Sequence, residues 1–249
     1  MIMKKQLYLF FIILLVLFVT LIVLYKQGTT EESAQEGILA SLWSNVEEDR
    51  IMDFEAFSEV VKANSEMSMT TSFDKQVSEN GLYVLDSKDG KLRIYGCEYP
   101  SRGTMGVYGT LVQYRWEGEI RFHENFPTID DCPNMPVALY TLEDGKYLLV
   151  EYSRESSYSS FYLVTAIELC ESGLLEFQAF EIDGELKSEI YVCDNSASRV
   201  FWPGNAQRWD NTSFDEGSGI LSVVEDTIEG TICEYQWSGK TMVPLGIEE

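Results

Sequence analysis

The sequence predicts a mainly β domain of antiparallel hairpins, a propeller-like meander or an open sandwich, behind a short N-terminal helical element and one transmembrane helix. Three observations carry that prediction. From Leu82 onward, short runs of β-branched and aromatic residues alternate with acidic, serine or glycine turns, which is the pattern of strands and hairpins. Gly90, Gly118, Gly145 and Gly173, in KDGK, WEGE, EDGK and ESGL, follow one another at nearly even spacing. Glycine at such a place supplies the positive φ that a tight hairpin needs. Finally, GTLVQYRWEG (109–118) is echoed by GTICEYQWSG (230–239), with five of ten positions identical. The predicted organisation is an anchor over residues 1–27, a helical segment and linker over 28–80, and the β domain over 81–249.

Taken in order, the first element is the apolar run between Lys5 and Lys26, QLYLFFIILLVLFVTLIVLY. As a helix its 20 residues are about 30 Å long, the thickness of a bilayer's hydrocarbon core. It reads as an uncleaved signal anchor, because it is longer than the apolar region of a cleaved signal and lacks a small-x-small site behind it. Lys4 and Lys5 precede it and Glu31 and Glu32 follow, so the charge bias keeps the N-terminus in the cytoplasm and puts the main domain in the periplasm or outside the cell. The membrane is then a partner through residues 6–25.

Ser33 and Glu36 have capping-box spacing ahead of Ile38, Leu39, Leu42 and Val46, which predicts one short amphipathic helix. A second starts near Asp53, carries Phe54, Phe57, Val60 and Val61 on one face and ends around Asn64. The polar stretch 65–80 reads as a linker. Within the β domain the duplicated hairpins, given three-residue loops ending in glycine, set Arg115 opposite Glu119, Tyr114 opposite Ile120, Val112 opposite Phe122 and Cys233 opposite Val243. The repeated tyrosine then faces the core. Residues 199–219, RVFWPGNAQRWDNTSFDEGSG, lack alternation and read as a long loop, a kind of segment more often functional than average. The serine run 153–160 reads as a polar hairpin tip or bulge.

The stretch LRIYGCEYPSRGTMGVYGTLVQYRW (92–116), with a strand RIY, a glycine-rich GTM loop and a second strand ending in QY, resembles uncharacterised exported, envelope-anchored β-rich bacterial proteins. The resemblance covers about a tenth of the chain. It implies an envelope location and brings no activity; this chain departs from the pattern in using an apolar helix where a lipidated cysteine is usual.

Composition bounds the chemistry. With 41 acidic and 18 basic side chains the formal charge is −23. Up to Thr30 the chain holds three lysines and no acid, so the remainder carries 15 basic against 41 acidic groups, a net −26. That excludes a nucleic-acid partner, whose phosphates would be repelled. Five cysteines without a CxxC, and one histidine, His123, give no zinc spacing, and no cofactor or metal site is expected. In an oxidising compartment the cysteines fit either one or two disulfides or buried thiols. His123 at a strand end beside Glu124 reads as a solvated residue. No nucleophile elbow, HExxH, Walker or dinucleotide fingerprint is present.

Two functional readings follow. The first is a binding or interaction module of the cell envelope with a protein or glycan partner, its candidate binding residues the loop aromatics Trp202, Trp209, Tyr99 and Phe214, whose rings suit stacking on a sugar or holding a peptide. The second is a carboxylate-based hydrolase acting on envelope glycans or other extracellular polymers. It needs only two acids roughly 5 to 10 Å apart, and Asp130, Asp131, Asp215 and Glu216 lie in loops where they would serve. A chain with so many acids places some in loops by composition alone.

Overall fold

The computed structural model describes residues 50–73, 82–99, 107–123, 134–154, 160–194, 212–226 and 231–248. Its first element is α1 (Arg50–Ala63), followed by the single turn α2 (Ser65–Ser68). Three antiparallel sheets come next. The first is a meander of β1 (Leu82–Asp86), β2 (Leu92–Tyr99), β3 (Val107–Trp116) and β4 (Glu119–His123). The second contains β5 (Met135–Glu143), β6 (Lys146–Arg154) and β7 (Ser160–Cys170), and the outer edge of β7 is shared by β8 (Gly173–Glu176) and β11 (Glu189–Asp194). The third holds β9 (Phe180–Ile182), β10 (Glu185–Lys187), β12 (Thr212–Asp215), β13 (Ile220–Asp226), β14 (Thr231–Trp237) and β15 (Met242–Glu248), in the order β10-β9-β15-β14-β13-β12. All pairs are antiparallel except β15 with β9.

These elements form four layers, helix, first sheet, second sheet, third sheet, and the sequence of β6 explains why. Its apolar run Tyr147-Leu148-Leu149-Val150 is buried throughout, which a strand achieves only when both faces of its sheet are covered. Tyr147 and Leu149 pack with Leu92, Ile94, Val112 and Tyr114 of the first sheet. Leu148 and Val150 pack with Leu221, Val223, Tyr235 and Met242 of the third. The outer face of the first sheet is covered by α1, whose Phe54, Phe57 and Val61 meet Leu82, Tyr95 and Leu111. The helical spacing of those three side chains is the amphipathic pattern of the sequence realised.

The start of the polar stretch after α1, Ser65 to Thr71, is tied to the first sheet. Gln113, fully buried on β3, donates through Nε2 to the Ser65 carbonyl at 2.6 Å and the Ser68 hydroxyl at 3.0 Å. Arg93 Nη1 donates to the carbonyls of Ser68 and Thr71, and its Nη2 meets Asp86 at 2.8 Å. The Tyr95 hydroxyl stands 2.9 Å from the Ser68 carbonyl and 2.8 Å from Gln113 Oε1. A side-chain network thus replaces, for α2, the long helix that its sequence does not support.

At one end of the stack, hairpin tips from all three sheets are tied together. Asp89, between β1 and β2, accepts hydrogen bonds from the Ser87 hydroxyl at 2.6 Å, the Lys91 amide at 3.0 Å and, across the seam, the Tyr147 hydroxyl at 2.8 Å. Lys88 of the same tip pairs with Glu216 in the turn between β12 and β13.

Several expectations are corrected. Among the described residues no helix is long and apolar enough to cross a membrane. The longest, α1, has 14 residues, about 21 Å against a core of about 30 Å, and carries Asp53, Glu55, Glu59 and Lys62. No described helix therefore meets the expectation of a transmembrane helix and of a single-pass localisation with a cytoplasmic N-terminus; the run 6–25 on which they rest and the predicted helix at 33–46 lie outside the described residues. Three stacked sheets replace the open sandwich, and the described residues do not show a propeller. The hairpin register also differs. Trp116 faces Glu119, Arg115 faces Ile120 and Val112 faces His123, because the loop has two residues, Glu117 and Gly118, both at positive φ. In the second copy Cys233 faces Ile247, because a four-residue loop and a bulge at Leu245 shift the pairing.

Other readings hold. The four spaced glycines all have positive φ, Gly90, Gly118 and Gly145 within hairpin turns and Gly173 as the first residue of β8, directly after its turn. Both repeated tyrosines are buried, Tyr114 against the second sheet from one side and Tyr235 against it from the other. Arg154 pairs with Ser160 at the ends of the serine-rich hairpin. Cys97 and Cys233 are buried and Cys170 is half-buried.

Candidate functional site

Two places in the stack stand out chemically. The first is the seam between the first and second sheets. Along β6 the residues facing the first sheet are Tyr147, Leu149 and then Glu151, so a strand that fills the seam with apolar side chains ends by putting a carboxyl into it. Pairing confirms the direction, because Glu151 lies opposite Pro136 of β5, and Pro136 touches the first sheet: a Cβ at Gly96 would come within 2.9 Å of its ring. Glu151 is only 4% exposed. Burial, then the negative charges of Glu176 and Glu189, push its carboxyl up to about 8, so it is mainly protonated at neutral pH.

The two acids have a topological origin. Glu176 ends β8 opposite Ile167, and Glu189 starts β11 opposite Thr165, so the break in the strand beside β7 sets two carboxylates on the side that Glu151 faces. Among the described residues the Thr165 hydroxyl is buried there with no hydrogen-bond partner, as are the Thr110 hydroxyl on β3, opposite Gly96, and the Asn134 side-chain nitrogen just before β5. Buried polar groups normally find partners, so a cluster without them marks this end of the seam as unusual. Among the described residues no group of three or more His, Cys, Asp or Glu is placed to hold a metal ion.

The second place is the outer face of the third sheet. On β13 and β14, Leu221, Val223, Cys233 and Tyr235 point inward and are buried, leaving Ile220, Ser222, Ile232, Glu234 and Gln236 on the other side. Register extends that side into one row: Gln236 pairs with Ile220 and with Val243, Ile220 pairs with Asp215, and Glu181 pairs with Leu186. Leu186 is 44% exposed and Val243 36%. Leu245, displaced by the bulge beside them, is also exposed. No other layer among the described residues covers this face.

The residues singled out from the sequence are dispersed. Trp202 and Trp209 lie outside the described residues, as do Asp130 and Asp131. Tyr99 is the last residue of β2, paired with Val107. Phe214 is half-buried on β12 and packs its ring on Tyr140 at 5.7 Å, against the core between the second and third sheets. Asp215 holds its own turn, accepting from the Gly217 amide at 2.9 Å, and Glu216 is the partner of Lys88. His123 is half-buried rather than solvated: a Cβ on Gly173 would lie 3.1 Å from its Nδ1. Glu151 was missed, although one signal was present: it continues the parity of Tyr147 and Leu149, so an inward strand position carries an acid.

Comparison with known proteins adds little. No family model matches the chain and no curated protein matches it. Among solved structures, a candidate 6-phosphogluconolactonase from Bacteroides uniformis aligns over 68% of this chain, at 15% identity and a TM-score of 0.27. The match spans 56% of that protein's length, and likeness at this level assigns neither a fold family nor an activity.

Proposed function

We propose that the protein is a binding module that docks a protein partner on the outer face of its third sheet. The observation behind this reading is the row Leu186, Glu181, Val243, Gln236, Ile220 and Asp215, the sheet face that no other layer covers among the described residues, whereas the other sheet faces are packed. An open sheet face on which aliphatic side chains alternate with polar ones suits an interface, where apolar contact is set among hydrogen bonds and charges. Glu181, Glu234 and Asp215 on that face, together with the net charge of −23, favour a partner whose aliphatic patch is surrounded by lysine or arginine and disfavour a second copy of this chain.

The test compares proteins retained from the native extract by the purified chain and by Leu186→Glu/Val243→Glu. The reading expects a basic protein that is retained by the wild type, lost at least tenfold with the double variant and released by 0.5 M salt. An identical retained set for both forms would overturn it.

One observation favours a second reading, hydrolysis by paired carboxyls. A carboxyl held protonated near neutrality beside two further acids is what a general acid requires. This reading asks a side chain 4% exposed to reach a substrate. Turnover of soluble glycan substrates that disappears in Glu151→Gln would support it; no turnover by the wild type would end it.

A further inference from the structure

We propose that the seam between the first and second sheets is a proton-gated joint, closed while Glu151 carries its proton and parted around Gly96 and Pro136 once that proton is lost. The inference stands on the geometry of the seam and is independent of the docking reading.

A carboxyl in the interior is tolerated when it is neutral or when a cation or several donors stabilise its charge. Around Glu151 the described structure supplies neither. From β5 it is faced by Pro136, with Asn134 two residues earlier; from β7 by Leu163 and Thr165; from β8 by Glu176; and from β11 by Glu189, with Tyr191 opposite Leu163. From the first sheet come Gly96 on β2, which carries Glu98 two residues on, and Thr110 and Tyr108 on β3. His123 of β4 is placed over Gly173, at the start of β8. The charged groups that act on Glu151 are both acids, and no hydrogen bond to its carboxyl is found among the described residues.

An ionised Glu151 must therefore take up water, and the seam is where water must enter. The contact there is close, because the first sheet has no side chain at Gly96 and the Pro136 ring occupies that space. A close, side-chain-poor contact, beside three polar atoms that find no partner among the described residues, has little dispersion energy to hold it once a charge must be hydrated. The opposite end of the seam is held by Asp89 and Tyr147, and the third sheet is joined to the second through apolar packing, so the parting is confined to one end of one seam.

The carboxyl is held above its ordinary value in the folded chain, so stability is full below about pH 4.5 and is lost as pH rises through about 8.

The experiment uses the full chain with labelled methyl groups and a soluble paramagnetic chelate that relaxes solvent-exposed methyls. In the wild type, relaxation of the Val112 and Leu163 methyls at the seam is expected to rise at least threefold between pH 6 and pH 9. The Leu221 and Val223 methyls, in the other seam, are expected to stay unchanged, and Glu151→Gln is expected to abolish the rise. An equal rise in Glu151→Gln, or a rise of the same size in both seams, overturns the proposal. Should Glu151→Gln fail to fold, Glu176→Gln/Glu189→Gln decides. Removing those two charges must move the midpoint to lower pH, and an unmoved midpoint overturns the assignment to Glu151.

Discussion

The seam between the first two sheets has a buried or half-buried carboxyl at each end, and the two behave oppositely. Asp89, at the hairpin end, is raised by burial, yet hydrogen bonds from Ser87, the Lys91 amide, Tyr147 and the Gly145 amide outweigh that and hold it below the usual carboxylate range. Glu151, four positions along the strand from Tyr147, receives no such bonds among the described residues and is pushed up. The functional group and the seam are the same, so the difference lies in the donors. A carboxylate with several N–H and O–H partners fastens two sheets; one without them holds them together only while neutral.

The comparison can be broken at either end. The largest effect is expected in alkaline solution, where Glu151→Gln should be more stable than the wild type at pH 9 by on the order of 4 kcal/mol, with little difference at pH 5. Urea unfolding at the two pH values checks it. The Asp89 end has the opposite sign. Its stabilisation is present above the ordinary carboxylate value of 3.8 and is lost as pH falls below it, so Asp89→Asn should flatten only the acid limb of the stability profile. At neutral pH Asp89→Ala leaves the buried Tyr147 hydroxyl without its acceptor and should cost about 2 to 3 kcal/mol. Midway in size, Gly96→Ala drives a methyl into the Pro136 ring and should cost about 1 to 3 kcal/mol, with partial recovery in Gly96→Ala/Pro136→Ala. The smallest change sharpens the contrast most: Thr165→Val removes a buried hydroxyl that bonds to nothing described and should be neutral or stabilising by up to about 1 kcal/mol. A clear loss of stability in Thr165→Val would mean that the hydroxyl has a partner.

What was legible in the sequence was local. Turns are set by their own residues, so Gly90, Gly118, Gly145 and Gly173 marked hairpins correctly, and α1 followed from the spacing of Phe54, Phe57 and Val61. Register failed by one residue because Glu117 adopts positive φ, an uncommon choice for a residue with a Cβ, and this shortens the loop to two. Stacking was not legible because it depends on what covers each face. Seen alone, Glu151 is one of 41 acids; only a second sheet lying over it makes it exceptional. The loop aromatics were chosen by composition, and the one whose ring the structure describes, Phe214, packs it on Tyr140.

The divided strand beside β7 has a further consequence for how the chain can come apart. After β8 the backbone leaves the second sheet to make β9 and β10 in the third, returns as β11, and leaves again for β12. Second and third sheets are thus laced by three traverses, whereas first and second share a single covalent path, between His123 and Met135. A protease nick on that one path would leave the first sheet, with α1, attached by contacts alone. No single cut elsewhere would release either of the other two sheets intact.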